Sequence, residues 1–573
     1  MPPTATRPTP PLPAIQPVRS VVSPLLPVVL PLVLTAILLS IVFAWLFPPA
    51  AATGAPALRF TDVTADSGLQ FTHQQGGAET PTTLAGAVVV LDFNQDGAPD
   101  LFFVNGAPWP WEESLDKRLT RSSALFRNDG AGRFTDVTAS AGINGEMQGM
   151  AATAGDFDND GQTDLFVTCV GRNHLFRNLG HGRFEDVTES AGVGGDENTW
   201  STGAVWLDCD GDGRLDLIVL HYARWPREVG LAQALVIADI GRSYGAPTGF
   251  VSTFPSVYHN LGEGRFALQT DSAGLRNLDP ETGRPVTQPL AIAPLDANGD
   301  GRLDLLITYQ NNRPALFLAR GDGTFEKQAA GRGSRQEGAS ASLASASAFP
   351  LGTVADPRTQ ILPAFSVRPA ASPEDQPLAL ADKLGFALAD FNLDGRTEVF
   401  SGQGAAELHL NKFEAGRDFA RAPALWWQRG NDWLPVAATA TDPWARPFTA
   451  RGVAVADFDG DGDADVVIAQ NNGHPVLLRN DQRPGLPWLR LQLVATRSQP
   501  EAGGARVEVH TPRRILTQTV APALGFMAQS ESTLTFGLGD DARVRKIVIQ
   551  WPSGQTQELR PDALNQTLVI REP

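Results

Sequence analysis

An acidic nine-residue pattern, Asp-x-(Asp/Asn)-x-Asp-Gly-x-x-(Asp/Glu), occurs six times along this chain of 573 residues. Oxygen atoms from positions 1, 3, 5 and 9 can converge on one calcium ion together with the position 7 carbonyl, and the glycine at position 6 permits a sharp turn. The spacing therefore predicts up to six bound Ca²⁺ ions. The six copies, loops 1 to 6, begin at Asp92, Asp156, Asp208, Asp296, Asp390 and Asp457.

The candidate metal ligands are the side chains at positions 1, 3, 5 and 9 of each loop. Position 3 is Asp in loops 2, 3 and 6, which we expect to bind calcium most tightly, and Asn in loops 1, 4 and 5. Position 9 of loop 5 is Glu, whose extra methylene either weakens that site or lets both carboxylate oxygens bind. The predicted ligands are Asp92, Asn94, Asp96 and Asp100; Asp156, Asp158, Asp160 and Asp164; Asp208, Asp210, Asp212 and Asp216; Asp296, Asn298, Asp300 and Asp304; Asp390, Asn392, Asp394 and Glu398; and Asp457, Asp459, Asp461 and Asp465.

The sequence around the loops is typical of β-strands and not of an EF-hand. An EF-hand has flanking helices and a bidentate Glu at position 12, whereas no loop here has an acidic residue at that position. Short apolar runs flank the loops instead, such as VVVLDF before loop 1 and DLFFV after it. Each loop is therefore predicted to join the two buried strands of a β-hairpin.

A second strand–turn–strand element follows five of the loops, for example ALFRNDGAGRFTDVT from Ala124 and HLFRNLGHGRFEDVT from His174. Two hairpins make a four-stranded unit, and its repetition predicts an all-β, six- or seven-bladed β-propeller. Loop 6 lacks an FTDVT-like strand, which stands alone at residues 60–64, so we expect the N-terminal strand to complete the last blade. Because residues 329–384 are long enough for a degenerate blade that lacks the acidic loop, we favour seven blades.

These repeats resemble the FG-GAP or VCBS repeats of calcium-binding propellers. Residues 488–572 resemble the ASPIC/UnbV domain in five short motifs, which are GARV at Gly504, QS at Gln529, FGLG at Phe536, WPSG at Trp551 and NQTL at Asn565. The combination is similar to the cartilage acidic protein-like family. The resemblance implies an extracytoplasmic propeller with a small appended β-sandwich-like domain, and it implies no known reaction.

The N-terminal segment is predicted to be a membrane signal anchor. Residues 25–47 are uncharged and rich in Leu, Val and Ile, and a helix of this length spans a hydrocarbon core of about 30 Å. Arg7 and Arg19 precede it and no basic residue follows until Arg59. The positive-inside rule therefore places the N-terminus in the cytoplasm and the bulk of a single-pass protein in the periplasm or outside the cell. The alternative is secretion after cleavage near the small residues 50–52.

The predicted domain organisation has five parts. Residues 1–23 form a disordered cytoplasmic tail, 24–47 the transmembrane signal anchor, 48–57 a linker, 58–485 the propeller, and 486–573 the ASPIC/UnbV-like β domain. Outside the cytoplasm, calcium is abundant enough to occupy sites with dissociation constants of about 10⁻⁴ to 10⁻³ M.

The charge and the remaining motifs restrict the possible partners. The net charge of −17 argues against a nucleic-acid partner, because phosphate contacts need a basic face. The sequence contains no HExxH, CxxC or GxSxG motif and no P-loop. Cys169 and Cys209 are interpreted as free core thiols, with a single disulfide as the alternative.

Together these features favour a non-catalytic binding, adhesion or scaffold protein with a protein or glycan partner outside the cytoplasm. The insertions at residues 224–255 and 405–423 are the predicted recognition surfaces, because function on rigid folds commonly lies in loops. Two alternatives stay open: an extracellular or periplasmic enzyme acting on polysaccharide or a similar substrate, and an accessory subunit of a larger membrane complex. An enzyme would need a pocket with an uncommitted acid–base group.

Overall fold

The computed structural model describes the repeats and the C-terminal domain. The predicted cytoplasmic tail, transmembrane helix and linker lie outside the described residues, as do residues 329–384 and most of the two insertions. No helix in the described ranges is long and apolar enough to cross a membrane. Those ranges are residues 58–74, 85–106, 123–143, 147–226, 228–229, 235–237, 241–243, 251, 253–279, 283, 285–286, 288–309, 314–328, 385–404, 418–429, 432–482, 486–521, 525 and 527–573.

The described chain up to residue 480 is built from short strands. In chain order they are β1 (Phe60–Asp62), β2 (Val88–Leu91), β3 (Asp100–Phe103), β4 (Ala124–Asn128), β5 (Phe134–Asp136), β6 (Gly149–Gly155), β7 (Asp164–Cys169), β8 (His174–Asn178), β9 (Phe184–Asp186), β10 (Thr199–Leu207), β11 (Asp216–Arg224), β12 (Leu235–Ile237), β13 (Gly241–Ser243), β14 (Ser256–Gly262), β15 (Arg265–Leu268), β16 (Pro289–Leu295), β17 (Asp304–Tyr309), β18 (Ala315–Ala319), β19 (Phe325–Lys327), β20 (Phe386–Ala389), β21 (Glu398–Ser401), β22 (Ala424–Arg429), β23 (Asp432–Pro435), β24 (Ala450–Ala456), β25 (Asp465–Gln470) and β26 (Val476–Asn480).

Six four-stranded antiparallel units, blades 1 to 6, confirm the predicted repeat of two hairpins. They contain β2–β5, β6–β9, β10-β11-β14-β15, β16–β19, β20–β23 and β24–β26 with β1. The first strands of blades 1 to 4 contact one another in order, and so do those of blades 5, 6 and 1. The described chain is therefore all-β and propeller-like. A seventh blade stays a prediction, because residues 329–384 are not described.

The N-terminal strand completes blade 6, as the sequence predicted. In the antiparallel pair of β1 with β26, Phe60 is opposite Asn480 and Asp62 is opposite Leu478. Phe60 is buried and packs edge-on against Phe391 of blade 5, with ring centroids 5.7 Å apart. This pairing joins the two ends of the repeat region and covers the edge that β26 would otherwise expose.

Apolar side chains bury the interfaces between blades. All residues of β2, β3, β6, β7 and β10 are buried, in agreement with the predicted fully buried strands. Phe157, which follows the first residue of loop 2, stacks on Trp206 of blade 3 at 6.1 Å. Burying one such side chain stabilises the fold by about 1.5–3 kcal/mol.

Helices and thiols are minor features of the described ranges. The helices are α1 (Thr138–Ala141), α2 (Thr188–Ala191) and a 3₁₀ turn at Pro443–Ala445. Cys169 and Cys209 are buried free thiols, which confirms the interpretation as core residues. Burial raises the pKa of both thiols well above its usual range.

Residues 486–573 form a small domain of two packed sheets. One sheet has the order β31-β27-β34 and the other β29-β28-β32-β33, and apolar side chains from both sheets share one buried core. This arrangement agrees with the predicted β-sandwich. The strands within residues 486–573 are β27 (Trp488–Val494), β28 (Arg506–His510), β29 (Ile515–Thr519), β30 (Ala528–Gln529), β31 (Leu534–Gly537), β32 (Lys546–Gln550), β33 (Thr556–Leu559) and β34 (Thr567–Arg571).

Strand β30 belongs to blade 1 and not to the sandwich. It pairs in parallel with β2, where Gln529 is opposite Val89. The Gln529 side chain accepts hydrogen bonds from the Thr153 hydroxyl and the Ala154 amide, both at 2.9 Å, and donates to the Ala154 carbonyl at 3.1 Å. The C-terminal domain is therefore tied into blades 1 and 2, a connection that the sequence did not predict.

Candidate metal centres

Each acidic loop joins the first and second strands of its blade, and the position 1 carboxylate closes it. In loop 2, Asp156 Oδ1 accepts the Asp160 amide at 3.1 Å and Asp156 Oδ2 accepts the Gly161 amide at 2.8 Å. The bond from the position 6 glycine to the position 1 carboxylate recurs in all six loops, at 2.7 to 3.0 Å. The six loops therefore share one local geometry.

Two positions in each loop have a left-handed backbone. Position 6 is always Gly, with φ from 84° to 98°, a region that disfavours a Cβ atom. Position 4 is Gly in loops 3, 4 and 6, but it is Gln95, Asn159 or Leu393 in the others, with φ of 58° to 59°. The conformation costs a non-glycine residue about 1–2 kcal/mol. Leu393 is buried, and its carbonyl accepts the Gly539 amide of the C-terminal domain at 2.9 Å.

The position 9 carboxylate anchors each loop to its own blade. Asp164 Oδ2 accepts the amide of Phe157 at 3.1 Å, and Asp164 Oδ1 accepts the amide of Asn178 in β8 at 2.7 Å. Equivalent pairs of bonds hold Asp100, Asp216, Asp304 and Asp465, whereas Glu398 accepts only the first of the two. Position 9 therefore has a structural role in addition to its predicted role as a ligand.

A buried asparagine in the third strand fixes each of four loops to the preceding blade. Its Nδ2 donates to the backbone carbonyl at position 2 of the acidic loop in that preceding blade, as Asn178 does to Phe93 O of loop 1 at 2.8 Å. Asn128, Asn260 and Asn480 make the same bond to Phe458, Phe157 and Phe391 at 2.8 to 2.9 Å. The sequence analysis missed this role of the asparagine, although an Arg-Asn or His-Asn dipeptide recurs at the end of the third strand in each of these four blades.

Burial and mutual repulsion disfavour ionisation of several loop carboxyl groups, chiefly those at positions 1 and 9. Burial is the main cause in every case, and the neighbouring loop carboxylates add to it. The pKa of Asp164 is raised to about 9 and that of Asp100 to about 8. The pKa values of Asp156, Asp216, Asp304 and Asp457 are raised to about 6, that of Asp390 to about 7, and those of Glu398 and Asp465 well above their usual range. A bound cation would favour the charged forms.

Loops 2 and 6 bring three predicted ligands together in the same way. In each loop, carboxylate oxygens from positions 1, 3 and 9 lie within 4.8 Å of one another. Loop 3 instead groups Asp210 and Asp212 with His259, which the sequence analysis did not select. In loops 1 and 4, the position 3 Asn side chain donates to the position 5 carboxylate at 2.7 and 2.9 Å. Because position 3 is Asn, each of these two loops has only three carboxylates among its predicted ligands.

Basic side chains neutralise part of the acidic charge. Arg177 forms ion pairs with Asp158 at 2.6 Å and with Asp160 at 3.0 Å in loop 2. In loop 6, Arg490 of the C-terminal domain reaches Asp457 Oδ2 at 2.7 Å. Asp158 Oδ1 is buried and has no hydrogen-bond partner. Loop 2 therefore retains an unpaired oxygen of the kind that calcium binds.

The C-terminal domain lies against the acidic loops. Gly537 packs so tightly on loop 5 that a Cβ atom there would overlap Asp390 Oδ2, and Trp488 packs on Gly462 of loop 6 in the same way. At loop 2, Glu501 Oε1 accepts the Asp156 amide at 2.6 Å. Contacts with several loops at once place this domain on the face of the propeller that carries them.

Comparison with protein families identifies both halves of this architecture. The FG-GAP-like repeat model matches residues 92–167, 156–219, 296–347 and 390–468, and the ASPIC and UnbV model matches residues 495–573. Cartilage acidic protein 1 of Mus musculus is 28% identical over 128 residues, which cover 21% of this chain and 20% of that protein. The Xenopus tropicalis protein is 28% identical over 140 residues, covering 23% of this chain and 21% of its own length. The chain thus matches about a fifth of the length of these relatives.

The solved structures that resemble this chain have low TM-scores and low sequence identity. A structure showing specific recognition of non-reducing terminal N-acetylglucosamine by an Agrocybe aegerita lectin has a TM-score of 0.32 at 15% identity, covering 69% of this chain and 80% of that one. A Trypanosoma rangeli sialidase has a TM-score of 0.34 at 8% identity, covering 74% and 58%. Scores of this size do not establish a common fold. The family matches and the six acidic loops show that this chain carries FG-GAP-like repeats followed by a C-terminal ASPIC and UnbV domain.

Proposed function

We propose that this chain is a membrane-anchored, extracytoplasmic calcium-binding propeller that acts as a non-catalytic binding or scaffold protein. The observation that carries the proposal is the cluster of Asp156, Asp158 and Asp164, in which one buried oxygen has no partner. A cation would satisfy that oxygen and offset the repulsion between the carboxylates. Calcium fits better than magnesium, because magnesium prefers a small octahedral shell that retains several waters.

We assign the predicted side chains of all six loops as ligands, with unequal affinities. Loop 2 supplies four aspartates at these positions, and Arg177 pairs with two of them. In loop 6, Arg490 already contacts Asp457 Oδ2, an oxygen that a cation would also use. An arginine therefore pairs with predicted ligands in both loops, and we keep the expectation that loops 2 and 6 are among the tightest sites.

Metal analysis of the purified full chain in mild detergent tests this assignment. We expect several calcium ions per chain, and one fewer in Asp158→Ala. The matched control is Asp271→Ala, which removes an exposed aspartate that pairs with Arg276 away from the loops. Equal calcium content in all three proteins would refute the assignment of loop 2.

The membrane anchor and the extracytoplasmic location are supported by the sequence of residues 25–47 and by the charges that flank it. Alkaline carbonate extraction of host membranes checks the anchor. The full chain should remain with the membranes, and a variant without residues 25–47 should be released. Release of the full chain, together with loss of its N-terminal segment by mass spectrometry, would favour the cleaved signal peptide.

The proposed partner is a protein or glycan that binds the insertions at residues 224–255 and 405–423. Deletion of residues 224–255, followed by comparison of co-purified partners, tests this surface. Unchanged partners with intact calcium binding would refute it. Co-purification of a fixed set of membrane subunits after mild extraction would instead support the accessory-subunit alternative.

No specific observation favours the enzyme alternative. A cavity of about 270 Å³ between blades 4 and 5 and the C-terminal domain is lined by the carboxylates of Asp296, Asp390 and Glu531. Asp296 and Asp390 accept amides of their own loops, and Glu531 pairs with Arg490. These three carboxylates already accept hydrogen bonds or form an ion pair, so the described residues that line the cavity offer no unpaired carboxylate for general acid–base catalysis.

A further inference from the structure

A histidine lies against the acidic loop of blade 3. His259 belongs to β14, and its Nδ1 lies 3.1 Å from Asp216 Oδ1 and 3.7 Å from Asp210 Oδ2. A ring nitrogen of His259 and one carboxylate oxygen each from Asp210 and Asp212 lie within 4.8 Å of one another. Of the three such clusters that the described residues form, only this one includes a nitrogen atom. Loop 3 therefore differs from loops 2 and 6 in the atoms that it offers to a cation.

Loop 2 has an arginine at the place that His259 occupies beside loop 3. Arg177 stands directly before the buried asparagine of its blade, as His259 does, and it pairs with the carboxylates at positions 3 and 5 at 2.6 and 3.0 Å. Arg127 and Arg479 stand at that place in blades 1 and 6. An arginine side chain has no acceptor atom for a metal, whereas a neutral imidazole is a common metal ligand. Blade 3 thus has a ligand atom where three other blades have a fixed positive charge.

The carboxylates around His259 are only partly neutralised. Arg214 pairs with Asp212, but Asp210 and Asp216 form no ion pair with an arginine or lysine among the described residues. The side chains of His259 and Asp210 are 22% and 26% exposed, so solvent reaches them. The buried carboxylate of Asp216 is fixed by two backbone amides. A cation from solution can therefore reach a set of ligands that the fold already holds together.

The ligand atoms at loop 3 fit zinc better than calcium. Calcium takes oxygen ligands, whereas an imidazole nitrogen combined with carboxylates suits zinc and the neighbouring first-row divalent metals. Zinc lies about 2.0–2.2 Å from such ligands, so atoms that share one zinc ion lie about 3–4 Å apart. The separations of His259 Nδ1 from the oxygens of Asp216 and Asp210 fall within this range.

We propose that His259 is a metal ligand together with Asp210 and Asp212, and that loop 3 binds zinc or a neighbouring first-row divalent metal in preference to calcium. The inference rests on the proposed cation binding by the acidic loops and changes the ion at one of them. Three protein ligands leave a further position for water, as in zinc sites that stay open to solvent.

Metal competition on the full chain in mild detergent tests the proposal. Wild-type protein in excess calcium should bind one zinc ion per chain. His259→Asn keeps a side-chain oxygen that calcium can use, so its calcium content should not change. Its zinc affinity should fall at least about tenfold, because even the loss of a group that only supports a metal ligand costs about 10- to 100-fold. The matched control is His181→Asn, which changes an exposed histidine in the turn between β8 and β9 and should leave zinc binding unchanged.

Cobalt(II) in place of zinc reports the nitrogen ligand directly. In excess calcium, the wild type should give visible absorption bands that weaken or shift in His259→Asn, whereas calcium itself does not absorb. His259→Arg introduces the residue type that blades 1, 2 and 6 have at this place, and it should abolish the bands. This second variant keeps the test decisive if the Asn variant does not fold.

The outcomes separate this inference from the proposed function. If the chain binds calcium but zinc affinity is the same in the wild type and in His259→Asn, His259 is not a ligand and the inference is wrong. If excess calcium displaces all zinc from the wild type, loop 3 prefers calcium and the inference is again wrong, while the proposed function stands. If the wild type binds neither calcium nor zinc, the proposed function fails and the inference fails with it.

Discussion

The buried asparagine that links neighbouring blades should be more important for stability than any single loop residue on the surface. Asn178 is fully buried. Its Nδ2 donates to Phe93 O at 2.8 Å in blade 1 and to Thr163 O at 3.1 Å in its own blade, and its Oδ1 accepts the Gly180 amide at 3.0 Å. Asn178→Ala removes all three bonds and supplies no substitute.

The expected loss follows from the number of groups left without a partner. A buried hydrogen bond contributes about 1 kcal/mol net, and a buried group that loses its partner costs about 1–3 kcal/mol. With two carbonyls and one amide affected, we expect Asn178→Ala to lower the free energy of unfolding by about 3–5 kcal/mol.

Urea unfolding of the full chain in saturating calcium, followed by tryptophan fluorescence, measures this loss. Gln428→Ala is the matched control, because Gln428 occupies the corresponding position of blade 5 but is partly exposed and makes no such side-chain bond in the described residues. We expect the control to change stability by less than about 1 kcal/mol, as surface substitutions usually do. Equal effects of the two substitutions would refute the role of Asn178 as a link between blades.

Three further predictions concern charge and packing. The pKa values of Asp100 and Asp164 are raised to about 8 and 9, so the folded state holds protons that the unfolded state has lost. In EDTA, the free energy of unfolding should therefore fall as the pH rises from 7 to 8.5, by up to about 1.4 kcal/mol per pH unit for each of these two groups. Calcium should remove this pH dependence in thermal melts, and a flat profile in EDTA would contradict the burial of the two carboxyl groups. Gly537→Ala should separate the C-terminal domain from loop 5, which faster proteolysis of that domain would detect and unchanged proteolysis would contradict. Arg490→Met should cost about 3–5 kcal/mol by leaving Asp457 unpaired, and a loss below about 1 kcal/mol in urea unfolding would show that the pair is not buried.

The repeated parts of the fold were predictable because local physics determines them. A strand, a turn with glycine at position 6 and a second strand recur with the same apolar pattern, so the hairpin and the four-stranded blade follow from periodicity. The pairing of β1 with β26 was predictable because one strand was missing at the end and one was left over at the start. The family resemblance predicted the C-terminal sandwich.

The contacts between repeats and domains could not be read from the sequence. The pairing of β30 with β2 joins residues more than 400 positions apart, and no local pattern encodes it. Glu501 likewise contacts Asp156 in space at a separation of 345 residues along the chain, and Arg490 reaches Asp457 across 33 residues. His259 joins the loop 3 cluster through β14, so a search confined to the nine-residue pattern misses it.

The central claim is that calcium in the acidic loops stabilises this fold, and thermal unfolding of the full chain with and without EDTA tests it most directly. A ligand that binds only the folded state at 100 times its dissociation constant stabilises it by about 2.7 kcal/mol per site. We predict a large fall in melting temperature in EDTA that calcium reverses and magnesium at the same concentration does not. An unchanged melting temperature, in protein that had bound calcium before EDTA was added, would contradict the claim.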